Sequence, residues 1–450
     1  MKKNIAIVGG GIAGITAALL LKKKYENVYL IEKESQCGGL LRSNINENGT
    51  YFDIGTHIPS ETLHKEVDEL LFSEMKEENW NYLSYLNTGS FFCGKLYEKS
   101  QFIYTPFLED EVYAKGIVQL LNCTSHVNIE NYGNLLDYCN DYYGQTFTES
   151  IYGPLMKKLL GKSLNELHPS ALKVFSFSRL IPGEKDMSKH LKKSPVYDEK
   201  LAYATFYEGI SPQRKYYPKY RKGVQLWIDE LLEKVGSEGI HILNNAYIKE
   251  IEFEKKEIRK IKLNNDEEIL IEALVWSIAP ATLLKMVDTK QNCKAPEFRK
   301  MTVHNFIFDK PFLNSNHYIN CVDSNYKSFR ITIYPNINTD GIQTAPYNCT
   351  VEALVDQNED LEILNLNIID ELKNMGLISE ETEPTYRNFY SISNGFPILT
   401  PEVVEGLKEQ CNVLNDSFDN VVLIGKASGE TFFMNESTID AYNKIEKFFG

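Results

Sequence analysis

No stretch of this chain reaches the ~18 consecutive apolar residues that a membrane-spanning helix requires, so an integral membrane protein is not expected. Nor do any two of the eight cysteines form a C-x-x-C pair. The sequence thus offers no zinc ribbon, no thioredoxin-like dithiol and no dense disulfide framework, and a reducing, cytoplasmic setting fits it best. Cations are outnumbered as well. Against 62 Asp and Glu stand 48 Lys and Arg, a net charge of −14 that disfavours a general nucleic-acid or anionic-membrane surface. Local pockets for small anionic substrates stay open. What is present is globular: 450 residues, 43% hydrophobic and 24% charged, enough for two or three domains with a ligand site between them.

The first 21 residues have the outline of a secretory signal, with Lys2 and Lys3 ahead of an uncharged run. Four glycines interrupt that run, and it flows into Lys22-Lys23-Lys24 and a second apolar strand without a cleavage site. The alternative is chemical. Asn4 to Val8 reads as a buried strand, and Gly9-Gly10-Gly11-Ile12-Ala13-Gly14 satisfies G-x-G-x-x-G before an apolar helix. Gly9 permits the tight turn, Gly11 lets a pyrophosphate approach the backbone, and Gly14 allows close helix–strand packing, so that the amides of Ile12 and Ala13 open the helix toward the phosphates. Asn27 to Ile31 reads as the next strand, ending at Glu32 and Lys33. The Glu32 carboxylate suits the ribose hydroxyls of an adenosine and opposes a 2′-phosphate.

Beyond Glu32 lies Cys37-Gly38-Gly39-Leu40-Leu41-Arg42-Ser43. This second glycine pair with a downstream hydroxyl resembles the loop after the ribose-binding acid in FAD enzymes of the amine oxidase, protoporphyrinogen oxidase and phytoene desaturase superfamily. Asp53-Ile54-Gly55-Thr56-His57 resembles the D-x-G-x-H stretch that runs beside the flavin ring there and in UDP-galactopyranose mutases; the plain alternative is a hairpin strand with a turn glycine. The resemblance implies an α/β fold: a Rossmann-type, glutathione-reductase-like FAD-binding domain with a mixed α+β substrate domain. It implies a discontinuous FAD-binding domain over residues 1–72, 206–288 and 386–450, with the substrate domain filling 73–205 and 289–385. Residues 60–205 read as mainly helical and aromatic, with helix-compatible spacing over Leu135 to Tyr143, Ile151 to Leu160 and Ser170 to Leu180.

The same resemblance carries further expectations. Ile248 would offer backbone groups to the adenine. Gly425 and Lys426, then Asn435 and Glu436 at the start of a final helix, match the strand–G-(D/R)–loop–helix pattern whose helix N-terminus supports a reduced flavin. Lys426 stands where Asp or Arg is usual, and Lys222 where the first glycine of a Y-P-x-x-G-G segment is usual. The run Pro212 to Gly223 interleaves five cations with three tyrosines, including Tyr217, and is either a polyanion grip or a solvated loop. Arg330, on a period-two strand, either faces an anionic substrate or points outward. His57, with an unperturbed pKa of ~6.5, suits proton exchange near neutrality. There is no second G-x-G-x-x-G for NADPH and no cysteine beside Gly425, so noncovalent FAD is expected.

The resulting expectation is an FAD-dependent oxidoreductase that moves a hydride from a small organic substrate to flavin. A nucleotide-linked, anionic substrate is among the options. The alternatives are a redox-neutral isomerase of a nucleotide sugar, like UDP-galactopyranose mutase, and a nonenzymatic flavin-bearing scaffold or redox sensor.

Overall fold

The apolar runs on either side of the glycine turn become the two central strands of a parallel sheet. The computed structural model of the chain describes residues 4–175, 177–219, 222–288, 296–338 and 342–450; Tyr220 and Arg221 of the cationic run lie outside them. The sheet orders its strands His241–Leu243, Asn27–Ile31, Asn4–Val8, Ala273–Trp276 and Val421–Leu423, all parallel. Numbered along the chain, this is the 3-2-1-4-5 order of a Rossmann sheet. A parallel sheet is covered on both faces, which is why these strands read as unbroken apolar runs rather than as alternation. Helices Ile12–Lys22, Gln225–Ser237 and Met434–Phe449 cover one face, with Ile15, Leu19, Trp227 and Ile445 in its core. A three-stranded antiparallel sheet, Ile248–Glu254, Glu257–Leu263 and Glu268–Leu270, joins helix Pro401–Ser417 on the other. Each fully buried Ile or Leu in these cores stabilises the fold by ~1.5–3 kcal/mol.

The second body is a seven-stranded sheet ordered Pro384–Pro397, Phe298–Phe308, Tyr347–Val355, Ser328–Ile333, Tyr318–Cys321, Thr88–Phe92 and Lys95–Tyr97. Its pairings are antiparallel except for Tyr318–Cys321 on Thr88–Phe92, which is parallel. Alternate side chains serve opposite layers. Leu354 packs with the aromatic helical segment that holds Tyr143, Phe147 and Tyr152, whereas Ala353 and Val355 pack against helix Leu361–Asn374.

The fold is thus α/β, a Rossmann-type unit with a mixed α+β partner. Residues 60–205 are mainly helical, with the short strands Trp80–Leu83, Thr88–Phe92 and Lys95–Tyr97 among the helices. Two local expectations need correction. The expected boundary at 386 falls inside Pro384–Pro397, a strand held to the large sheet by pairing along Phe298–Phe308 from one end to the other. The expected helix over Ser170 to Leu180 is instead a 3₁₀ run, Pro169–Phe175, followed by a short strand at Leu180–Ile181.

Candidate functional site

Four strands of the parallel sheet end at one edge, and the turns that leave them converge there. After Val8, Gly9 adopts φ +102° and its N–H donates to the Ile31 carbonyl at 2.9 Å. A Cβ on Gly14 would sit 1.9 Å from the Gly9 carbonyl oxygen, so only glycine lets this helix approach the strand so closely. A Cβ on Gly11, by contrast, would meet nothing within 4 Å. That space lies over the first turn of helix Ile12–Lys22, which no side chain caps. Uncapped N–H groups at a helix N-terminus favour an anion.

Glu32 begins where Asn27–Ile31 ends. Its Oε2 accepts from the Gly10 N–H at 2.7 Å and its Oε1 from the Glu34 N–H at 2.8 Å. Each oxygen keeps a further lone pair for a diol. The second glycine pair docks on the first: the Gly38 N–H donates to the Gly10 carbonyl at 2.8 Å, and a Cβ on Gly39 would lie 3.6 Å from the Gly11 Cα. Gly10, which the motif leaves free, is also required, because a Cβ there would stand 2.5 Å from Cys37 Sγ. Lys33 is exposed on the turn, and Leu40 is exposed at the edge of the cleft. Ile248 buries its side chain in the core two residues past Ala246, whose N–H donates to the Glu32 carbonyl. These contacts leave room for the adenosine diphosphate half of FAD.

Beside this cradle runs a cleft of about 1910 Å³, well above the ~300–1,000 Å³ of a single small-ligand pocket and roomy enough for a cofactor and a substrate together. Thr56, His57, Arg330, Glu352 and Lys426 line it. The Asp53–His57 stretch is held from below. Gly55 takes φ +88°, and the buried Glu352 carboxylate accepts from the Thr56 N–H at 2.9 Å and from the Thr56 hydroxyl at 3.2 Å. The Thr56 hydroxyl also pairs with that of Thr332. His57 Nε2 lies 3.1 Å from the Ile54 carbonyl. A carbonyl only accepts, so Nε2 carries the proton and Nδ1 is left as an acceptor. Burial first, then Arg330 and Lys426, lower the imidazole to about 4 rather than the ~6.5 of a free ring, so His57 is neutral at neutral pH.

Arg330 turns its strand position inward to the cleft. Its Nε donates to the Asn320 side-chain oxygen at 3.2 Å, and its terminal nitrogens have no carboxylate partner among the described residues. Lys426 is reached by solvent through the open cleft, yet the surrounding wall desolvates its ammonium and lowers its pKa. Gly425 abuts Ala13 of the N-terminal helix and donates its N–H to Asp440 Oδ2 at 2.6 Å, bringing the last strand's turn onto the first helix.

Two expectations are overturned. Tyr217 does not face a substrate: it is buried, and its hydroxyl donates to Asp53 Oδ2 at 2.6 Å. The cationic run reads as a surface patch because pairing of its strand Lys215–Pro218 with Trp80–Leu83, within which both Tyr216 and Tyr217 are buried, is invisible locally. The helix starting at Met434 carries a carboxylate on its first turn, where Glu436 Oε2 accepts from the N–H groups of Phe432 and Phe433, while no side chain caps the first-turn N–H groups themselves. Asn435 is engaged too, donating to the Glu61 carbonyl at 3.2 Å. Sequence reasoning also missed Glu352. The available signal was the lone charged side chain of the strand Tyr347–Val355.

Asp53 anchors the wall behind His57. It accepts from Ser43 Oγ, Tyr217 Oη and the Val224 N–H at 2.6, 2.6 and 2.8 Å. Burial raises its carboxyl to about 6 against these three hydrogen bonds, which pull the other way. A raised folded-state pKa means that its contribution is fully present below ~3.9 and lost as pH climbs through about 6, a difference of ~3 kcal/mol. Asp53→Asn cannot ionise. Its urea-unfolding stability should therefore gain on the wild type by ~3 kcal/mol between about pH 4 and pH 7; parallel pH curves would contradict the raised pKa.

Comparisons with known proteins bear on the N-terminal segment and on the fold. The NAD(P)-binding Rossmann-like domain family matches residues 7–71. A 1-hydroxycarotenoid 3,4-desaturase of Flavobacterium sp. is 45% identical over 85 residues, covering 18% of this chain and 16% of that protein. Protoporphyrinogen oxidase 2 of Arabidopsis thaliana is 39% identical over 69 residues, covering 15% and 13%. The chain thus spans less than a fifth of the length of these curated relatives. Among solved structures, reduced UDP-galactopyranose mutase superposes with TM-score 0.75 at 16% identity, covering 100% of this chain and 96% of that one. An oxidoreductase from Methanosarcina mazei gives 0.62 at 11% identity, with 98% and 100% covered. At such identities the likeness is one of fold. No helix among the described residues is long and apolar enough to cross a membrane.

Proposed function

We propose that this chain belongs to the FAD-dependent amine oxidase superfamily and is an oxidoreductase with noncovalently bound FAD, acting on a small anionic organic substrate. The observation that carries the reading is one continuous edge: the open space over Gly11, the tethered Glu32 carboxylate and a cleft lined by His57, Arg330 and Lys426. Gly9, Gly11, Gly14 and Glu32 would hold the adenosine diphosphate half; Gly55 to His57 and Gly425-Lys426 would border the ring. When bound, FAD supplies the hydride acceptor. The chain's own residues then bind, orient and exclude water. Arg330 presents a planar fork to an anion, and Lys426 a point charge. Neutral His57 keeps Nδ1 free to accept a proton or hydrogen bond from the substrate, and an anion seated beside Arg330 would raise the imidazole back toward its ordinary value.

Anaerobic mixing tests the reading. A substrate should bleach the bound flavin, and NADPH alone should not, since the sequence has no second dinucleotide motif. Acid precipitation should release all of the FAD. Cys411, on helix Pro401–Ser417, lies near the Gly425 turn and gives its thiol to the Ala427 carbonyl at 3.4 Å. Flavin retained by the acid pellet, or bleached rapidly by NADPH, would overturn the noncovalent, substrate-reduced assignment.

A second reading is redox-neutral rearrangement of a nucleotide sugar, favoured by the pair of cations in the cleft that lack carboxylate partners among the described residues. Isomer interconversion that appears only after dithionite reduction would identify it.

A further inference from the structure

The cleft extends past Arg330 into a lobe between the edge strand Pro384–Pro397 with its neighbour Phe298–Phe308, the 3₁₀ run Pro169–Phe175 and helix Pro401–Ser417. Ile129, Val174, Ile392, Phe396 and Val404 line it, and all five are half-buried for the same reason: one side of each packs on the aromatic core, and the other borders the cavity. This is apolar surface without a protein partner among the described residues, continuous with the site that holds Arg330 and Lys426. Two of the cations that line the cleft near the lobe are engaged, while Lys173, next to Val174, is exposed. Arg179 donates to the carbonyls of Asp198 and Leu201, and Lys408 at the rim pairs with Glu130 at 3.2 Å. Arg330 and Lys426 thus stand at the flavin end, and the five apolar side chains at the far end.

We propose that the substrate is an amphiphile whose anionic group sits at Arg330 and Lys426 while an extended apolar arm fills this lobe. The proposal deepens the reading of the cleft as a substrate site and rests on it. Burial of an alkyl arm stabilises the complex in proportion to its length, whereas a nucleoside needs polar partners that the five side chains do not provide. The arm thus acts as a ruler for substrate choice, and the cations act as its anchor.

The test is a calorimetric titration of the wild-type protein with ethyl phosphate, octyl phosphate and uridine monophosphate, each below its aggregation concentration. Octyl phosphate should bind at least ~100-fold tighter than ethyl phosphate, and uridine monophosphate no tighter than ethyl phosphate. Val404→Asn should weaken octyl phosphate by at least ~10-fold and leave ethyl phosphate unchanged. Should that variant be insoluble, Ile129→Asn, on a short surface turn, makes the same comparison. Equal affinities along the alkyl series, or a preference for uridine monophosphate, would overturn the amphiphile assignment. Flavin absorbance of the same sample judges the FAD reading separately, because calorimetry reports binding in the lobe whether or not flavin is present.

Discussion

Gly11→Glu is expected to purify as soluble, colourless protein. The fold has no objection to the side chain: Gly11 has φ −76° and ψ 177°, an extended backbone open to any residue, and the Cβ position is empty to 4 Å. A carboxylate there would lie at the uncapped N-terminus of Ile12–Lys22 and satisfy amides that otherwise await a pyrophosphate. The variant is therefore stabilised as apoprotein while losing its cofactor. Loss of several charge-assisted hydrogen bonds, at ~1.5–3 kcal/mol each, should weaken FAD by at least ~10³-fold. Flavin released on heating, measured per mole of folded protein, is the readout. A soluble variant carrying a full complement of FAD would rule out the cradle.

The second large effect lies across the cleft. Arg330→Ala should weaken binding of an anionic substrate by ~10–100-fold, the range for a charge-assisted contact. His57→Ala should slow flavin reduction by ~100-fold or more while leaving FAD occupancy nearly intact. The two residues are electrostatically linked, which gives a signature that simple damage would not produce. Arg330 helps to hold the imidazole near 4, so in Arg330→Ala the acid limb of the reduction rate should move upward toward ~6.5. If substrate affinity is unchanged in the first variant and the reduction rate in the second, both residues are structural only.

How much of this could be read from the chain depends on how far apart the interacting residues are. Gly9 through Glu32 is one strand–turn–helix–strand unit, so its geometry is written in consecutive residues. The bonds from Glu436 to the N–H groups of Phe432 and Phe433, just ahead of Met434–Phe449, are equally local. Tyr217 looked like part of a basic patch because nothing within a few residues of it announces Asp53, 164 positions away. Glu352 was hidden for the same reason, since its partner Thr56 is 296 positions distant. His57 was placed in the right stretch, but its lowered pKa comes first from burial and then from Arg330 and Lys426, all of which the fold alone supplies. Local chemistry was legible; charge and burial assembled over hundreds of residues were not.

The strand order of the parallel sheet also has a consequence for biosynthesis. Val421–Leu423 pairs with Ala273–Trp276, and the turn after it seats Gly425 against Ala13. A ribosome working at ~5–20 residues per second needs on the order of tens of seconds to pass from the first of these elements to the last. Throughout that interval the edge of Ala273–Trp276 is open and its apolar residues lack their final cover, so the nascent chain is a natural client for holding chaperones. Slowing initiation or lowering growth temperature should then raise the yield of soluble protein more than supplementing the medium with riboflavin.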